Sequence, residues 1–240
     1  MDNPRSLDRF EGWLRAASRG ARARRRIAAE LRSTTMRTHL EAAAALASVG
    51  DHRGVNALIP IATNHDIDPL DRMFAVHYLG LSRRRHAARA IISAIGDDDP
   101  DVVNAALAAV GSMRLARAID AVIRASPHGL RGNHYRAEAL GKIGGSRAIA
   151  ALAKIVAGPE TDGLGVVEAA RHLPRLLKSK AARQVDADVL ELLSALPQER
   201  TVMVIDHPAD GYEPQVVSLA SIRAAARAVQ RRVVTRSPSG

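Results

Sequence analysis

Cysteine is absent from the 240 residues, which excludes a disulfide framework, a thiolate metal site and a cysteine nucleophile. Aromatic residues make up only 2%: one tryptophan, three tyrosines and two phenylalanines. Strands draw on aromatic and β-branched side chains, so a β-sandwich or barrel is not expected. Lysine is scarce too, with 4 of the 35 basic residues against 31 arginines. No apolar run approaches the roughly 20 residues a membrane helix needs. The opening MDNPRSLDRF lacks the apolar stretch of a secretory signal. The expectation is a soluble, cytoplasmic chain with no membrane insertion.

What the chain does have is alanine, leucine and arginine. Hydrophobic residues reach 47%, enough to bury a core, and alanine and leucine favour helix. The formal net charge is +10. Two readings of that charge stand. Arginines gain by displacing counterions from a polyanion, or the arginine excess reflects a GC-rich genome.

One phrase recurs: "ALASVGDHR" from Ala45, "AVHYLGLSR" from Ala75, "ALAAVGSMR" from Ala106 and "ALGKIGGSR" from Ala139. Its glycines, Gly50, Gly80, Gly111 and Gly144, are about 30 residues apart, and an arginine follows each by three (Arg53, Arg83, Arg114, Arg147). A fixed period of this length marks stacked repeats. Ala106, Leu107 and Val110 share one helical face, and Ile119, Val122 and Ile123 form a second. Each glycine is expected to take the left-handed conformation that ends a helix. The unit is then helix, tight turn, helix, and stacking buries the faces that one hairpin leaves open. Gly20 and Pro174 extend the rhythm, which predicts about six helix pairs with turns near 20, 50, 80, 111, 144 and 174. "IDPLDRM" and "DDDPDVV" place Asp68 and Asp99 before proline, as N-caps.

The stretches "DPDVVNAALAAVGSMRLARAIDAVI" (Asp99–Ile123) and "YRAEALGKIGGSRAIAALAKI" (Tyr135–Ile155) resemble the HEAT-like repeats named after phycobilisome lyases. The resemblance covers about residues 38–158 and implies an all-α, right-handed α-solenoid. The expected domains are a solenoid over 1–200, with atypical capping repeats at 1–35 and 160–200, and a C-terminal segment over 201–240. There "TVMVIDHPADGYEPQVVSLAS" reads as a hairpin or an extended arm, "SIRAAARAVQRRVV" as a closing helix, and "TRSPSG" as a tail. In function the resemblance implies mainly protein-interaction scaffolds, with some lyase subunits and nucleic-acid binders.

In such solenoids the second helices line the concave face. That singles out Arg89, Arg117, Arg124 and Lys154, with Arg84 and Arg85 at a turn. The N-terminal run adds Arg22, Arg24, Arg25 and Arg26; residues 1–32 hold nine arginines against four acids. The turn arginines Arg53, Arg83, Arg114 and Arg147 are read as structural, capping carbonyls or pairing with acids. Trp13, beside Phe10 and Leu14, is read as core. HEAT-like alkylpurine DNA glycosylases use groove tryptophans and a catalytic aspartate, and no motif here matches theirs. "NHDID" (Asn64–Asp68) and "DHPAD" (Asp206–Asp210) place histidine near carboxylates but lack converging zinc ligands. "GDDDPD" lacks the alternating ligands of a calcium loop, and "GKIGGS" ends a helix where a phosphate loop would open one. No cofactor or metal is expected. The first expectation for function is a non-enzymatic scaffold binding a protein partner. The alternatives are sequence-nonspecific nucleic-acid binding and an accessory subunit of a modifying enzyme or lyase.

Overall fold

The computed structural model describes residues 4–125, 132–158, 163–204 and 213–234, with the side chains of 4–7 and 234 left aside. Thirteen α-helices and one two-stranded sheet are present among the described residues. The helices come in pairs: α1 (Pro4–Arg19) with α2 (Ala21–Ala29), α3 (Met36–Ser48) with α4 (His52–Thr63), and α5 (Pro69–Ser82) with α6 (Ala88–Ser93). Then follow α7 (Pro100–Ser112), α8 (Ile119–Arg124), α9 (Gly132–Ile143) with α10 (Ser146–Ala157), α11 (Gly163–Leu177) and α12 (Ala187–Ala195). Strands β1 (Glu199–Val204) and β2 (Glu213–Ser218) pair antiparallel, Glu199 opposite Ser218, and α13 (Ala220–Val234) closes the described chain. Asp206–Asp210 and the tail 235–240 lie outside the described residues.

The chain forms two compact units, residues 1–113 and 114–240. In the first, the first helices of successive pairs stack: α1 on α3, α3 on α5, α5 on α7. In the second, α9 packs on α11, which also meets α10, α13 and both strands. Alanine explains the closeness. Ala42 to Ala45 and Ala47 of α3 are all fully buried, because short side chains let neighbouring backbones approach. Asp68 and Asp99 cap α5 and α7 as expected, Asp68 accepting from the Leu70 N–H at 2.9 Å and Asp99 from the Asp101 N–H at 2.9 Å.

Two expectations about the turns need correction. Gly50 (φ +69) and Gly144 (φ +75) do take the left-handed conformation after their helices. Gly80 and Gly111 do not: both lie inside helices, α5 and α7. The left-handed residues there are Arg83 (φ 52) and Arg114 (φ 50), three positions later. Gly80 is small for a different reason, since a Cβ on it would stand 2.7 Å from the Ala109 Cβ of α7. Pro174 is likewise no turn. It lies inside α11, which runs on to Leu177 before a 3-10 turn over Lys180–Gln184.

Candidate functional site

The arginines divide by what they touch. Helices end with carbonyls that have no intrahelical donor, and in this fold an arginine from a later element meets several of them. Arg24 donates to the Ala17 carbonyl at the end of α1 (3.3 Å), and Arg84 to Gly50 just after α3 (2.7 Å). Arg136 donates to Val122 and Ile123 at the end of α8 (3.2 and 2.5 Å). Arg175 donates to Gly141 near the end of α9 (3.0 Å), and Arg200 of β1 to Val156 and Gly158 at the end of α10 (both 2.8 Å). A guanidinium suits this place, because its fork spans adjacent carbonyls and its charge complements the negative helix end.

Other arginines pair with acids. Arg53 forks onto Asp51 (3.0 and 2.7 Å), which also accepts from the Arg53 backbone N–H and so caps α4. The Arg53 hydrogen bonds hold Asp51 below the usual carboxylate range against the opposing effect of burial. Arg24 adds a contact to Asp51 at 3.7 Å. Arg147 pairs with Asp120, whose pKa is lowered first by that hydrogen bond, with the Arg147 and Arg124 charges adding to it. Thus Arg53 and Arg147 have the structural role expected of turn arginines. Glu41, 1% exposed, ties α1 to α3 through Arg9 (2.6 Å) and also receives Arg37 (2.5 Å). Asp97 ties α5 to the segment before α7 through Arg72 (3.1 and 2.7 Å). Glu168 of α11 accepts from His172 (2.9 Å) and Arg171 (3.3 Å), and the His172 hydrogen bond is the main cause of its lowered pKa. The Asn64–Asp68 motif resolves the same way: Asn64 accepts from the Asp66 N–H, and Asp68 is a cap.

Of the residues expected at a binding surface, Arg24 and Arg84 are therefore committed to helix ends, and Arg85 and Arg117, both exposed, also have partners. Arg22, Arg25, Arg26, Arg89 and Lys154 are exposed and make no side-chain hydrogen bond or ion pair among the described residues. Arg124 is exposed at the end of α8. Arg89 belongs to the first unit; Arg117, Arg124 and Lys154 belong to the second.

Two of these exposed arginines, Arg22 and Arg26, line a cleft that sequence reasoning did not anticipate, together with Arg19. An open cleft of about 630 Å³ lies between α1 and α2, with Trp13, Arg19, Arg22, Arg26, Ile27 and Glu30 among its lining residues. Trp13 is half-buried. It packs on the core cluster of Ala17, Ile27, Ala42, Ala45 and Leu46 and also lines the cleft. The core reading of Trp13 is thus half of its role. Arg9 sits 5.3 Å from its ring centroid, a cation–π distance. Phe10 packs on the same core cluster and also joins an aromatic cluster with Phe74 and Tyr78 (5.7 and 5.8 Å). The signal in the sequence was the helical spacing of Arg22 and Arg26, one turn apart, with Trp13 in the preceding helix of the same pair.

No family model and no curated protein matches this chain. Solved structures do. The complex of CpcE and CpcF of phycocyanin lyase from Nostoc sp. PCC7120 matches at 22% identity and TM-score 0.54, over 70% of this chain and 75% of that one. An engineered protein matches at 19% identity and TM-score 0.55, over 88% of this chain and 96% of that one. The fold is a HEAT-like helical repeat. At these identities the likeness concerns architecture. Among the described residues no helix is long and apolar enough to cross a membrane.

Proposed function

We propose that this HEAT-like chain is a non-enzymatic adaptor that binds an acidic protein partner through the cations its fold leaves unpaired. The observation that carries the reading is the division of the basic residues. Arg24, Arg84, Arg136, Arg175 and Arg200 hold helix ends, whereas Arg22, Arg26, Arg89 and Lys154 stand exposed and make no side-chain hydrogen bond or ion pair among the described residues. Composition bias would explain why arginine is abundant; it would not explain why the fold uses some cations at helix ends and leaves these without an ion pair among the described residues. Arg89 and Lys154 lie on second helices of their pairs, α6 and α10, and Arg124 on α8. The matching lyase structure is itself a complex of two proteins.

The test is affinity capture by the full chain with chemical cross-linking, followed by a titration with the recombinant partner. The complex is expected to weaken as salt rises. R89Q/K154Q is expected to bind about tenfold more weakly at low salt with unchanged helicity. Full affinity in that variant would contradict the reading. So would a preference for duplex DNA with a log–log salt slope of roughly −4 to −5, the value for five phosphate contacts.

A further inference from the structure

We propose that the α1–α2 cleft is the docking site for a short acidic segment of that partner, one presenting carboxylates beside an apolar side chain. The inference rests on the adaptor reading and adds to it a place and a chemistry. The volume, about 630 Å³, is that of a ligand-sized pocket and suits a few side chains. Arg19, Arg22 and Arg26 all line it and make no hydrogen bond or ion pair among the described residues. Arg22 and Arg26 are separated by one turn of α2, which puts both side chains on the helix face that lines the cleft. A guanidinium fork matches a carboxylate in two-point hydrogen bonding. Between them Ala23 is small, and Ile27, 3% exposed, closes the floor. Ala16 and Trp13 complete an apolar wall.

This combination has two halves, one cationic and one apolar, and the occupant must supply both complements. The acid Glu30 also lines the cleft and makes no ion pair among the described residues. A phosphodiester strand would bring repeated negative charge against Glu30. A peptide brings carboxylates only where its sequence has them, and a backbone N–H or a lysine can face Glu30. Charge complementarity thus favours a peptide over a nucleic-acid strand.

Trp13 is the single tryptophan of the chain and lies in the cleft, so intrinsic fluorescence reports occupancy of this site alone. The probe is a fluorescein-labelled nonapeptide alternating glutamate and leucine, added to the full chain. Polarisation is expected to show saturable binding. An unlabelled copy is expected to change Trp13 emission over the same concentration range. R22Q/R26Q should weaken binding about tenfold, whereas R25Q, an exposed arginine outside the cleft, should leave it unchanged. Circular dichroism and the unligated Trp13 emission check that the variants fold. An equal loss in R25Q, no change in Trp13 emission on binding, no binding at all, or tighter binding of an oligo-dT strand through the same arginines would overturn the proposal. Failure of the adaptor reading looks different. If R22Q/R26Q retains the captured partner at full affinity, the cleft assignment falls and the adaptor reading stands. If wild-type chain captures nothing, the adaptor reading falls.

Discussion

Asp97→Ala is expected to destabilise the first unit by about 3–5 kcal/mol, the usual consequence of leaving one member of a buried ion pair alone. The Asp97 and Arg72 side chains are 2% and 5% exposed. Arg72 also donates to the His65 carbonyl at 3.3 Å and to the Ile67 carbonyl. Removing the carboxylate strands a guanidinium that its two remaining carbonyl acceptors do not neutralise. Urea denaturation at pH 7 measures the loss. R72M/D97L should cost less than Asp97→Ala, since no isolated charge stays behind, although the two carbonyls lose their donor. The pair also predicts a pH dependence. Burial alone would raise the Asp97 pKa, but the Arg72 hydrogen bond, the Asp99 N–H and the Arg72 charge outweigh it and hold the value below 3.8. A carboxyl lowered in the folded state contributes stability above its unfolded pKa, and that contribution fades as pH falls through the folded pKa. The stability of the wild type relative to Asp97→Ala should therefore be constant from pH 7 to about 5 and shrink below about pH 4.

Gly54→Ala is expected to cost about 3 kcal/mol, at the upper end for overpacking. A Cβ on Gly54 would overlap the Ala43 carbonyl and stand 2.6 Å from both the Ala47 nitrogen and the Leu46 Cβ. Two of these atoms are backbone of α3 and cannot swing aside, so α3 and α4 must separate, and the buried alanines of α3 lose their contacts. Gly12→Ala is the matched control. It lies within α1 with nothing within 4 Å of its Cβ position, so it should gain up to about 1 kcal/mol from helix propensity. Thermal melts of the two variants should move in opposite directions.

Much of the architecture was legible because the sequence writes it in local terms. The thirty-residue period, the N-caps at Asp68 and Asp99, and the β-favouring residues within 201–221 each depend on neighbours a few positions away. The errors arose where the cause lies in another repeat. A glycine needed for a left-handed turn (Gly50) and one needed for close approach to a neighbouring helix (Gly80 against Ala109) look the same in sequence. Arg84 and Arg175 each meet a carbonyl 34 residues upstream, a distance at which sequence gives no sign of pairing. Sequence alone therefore groups Arg24 and Arg84 with Arg22 and Arg89 as binding candidates. Trp13 has an apolar helix face and an opening beside α2, and only the first of these shows in a helical pattern.

The central claim is that two populations of arginine and lysine do different work, one holding helix ends and one meeting a partner. Paired variants that remove the same charge from each population test it most directly: R84Q/R175Q against R89Q/K154Q, each measured for melting temperature and for affinity to the captured partner. R84Q/R175Q is expected to melt lower while binding normally below its transition, and R89Q/K154Q to melt as the wild type but bind more weakly. Equal melting temperatures with equal losses of affinity would contradict it, because the charge would then act only as a total.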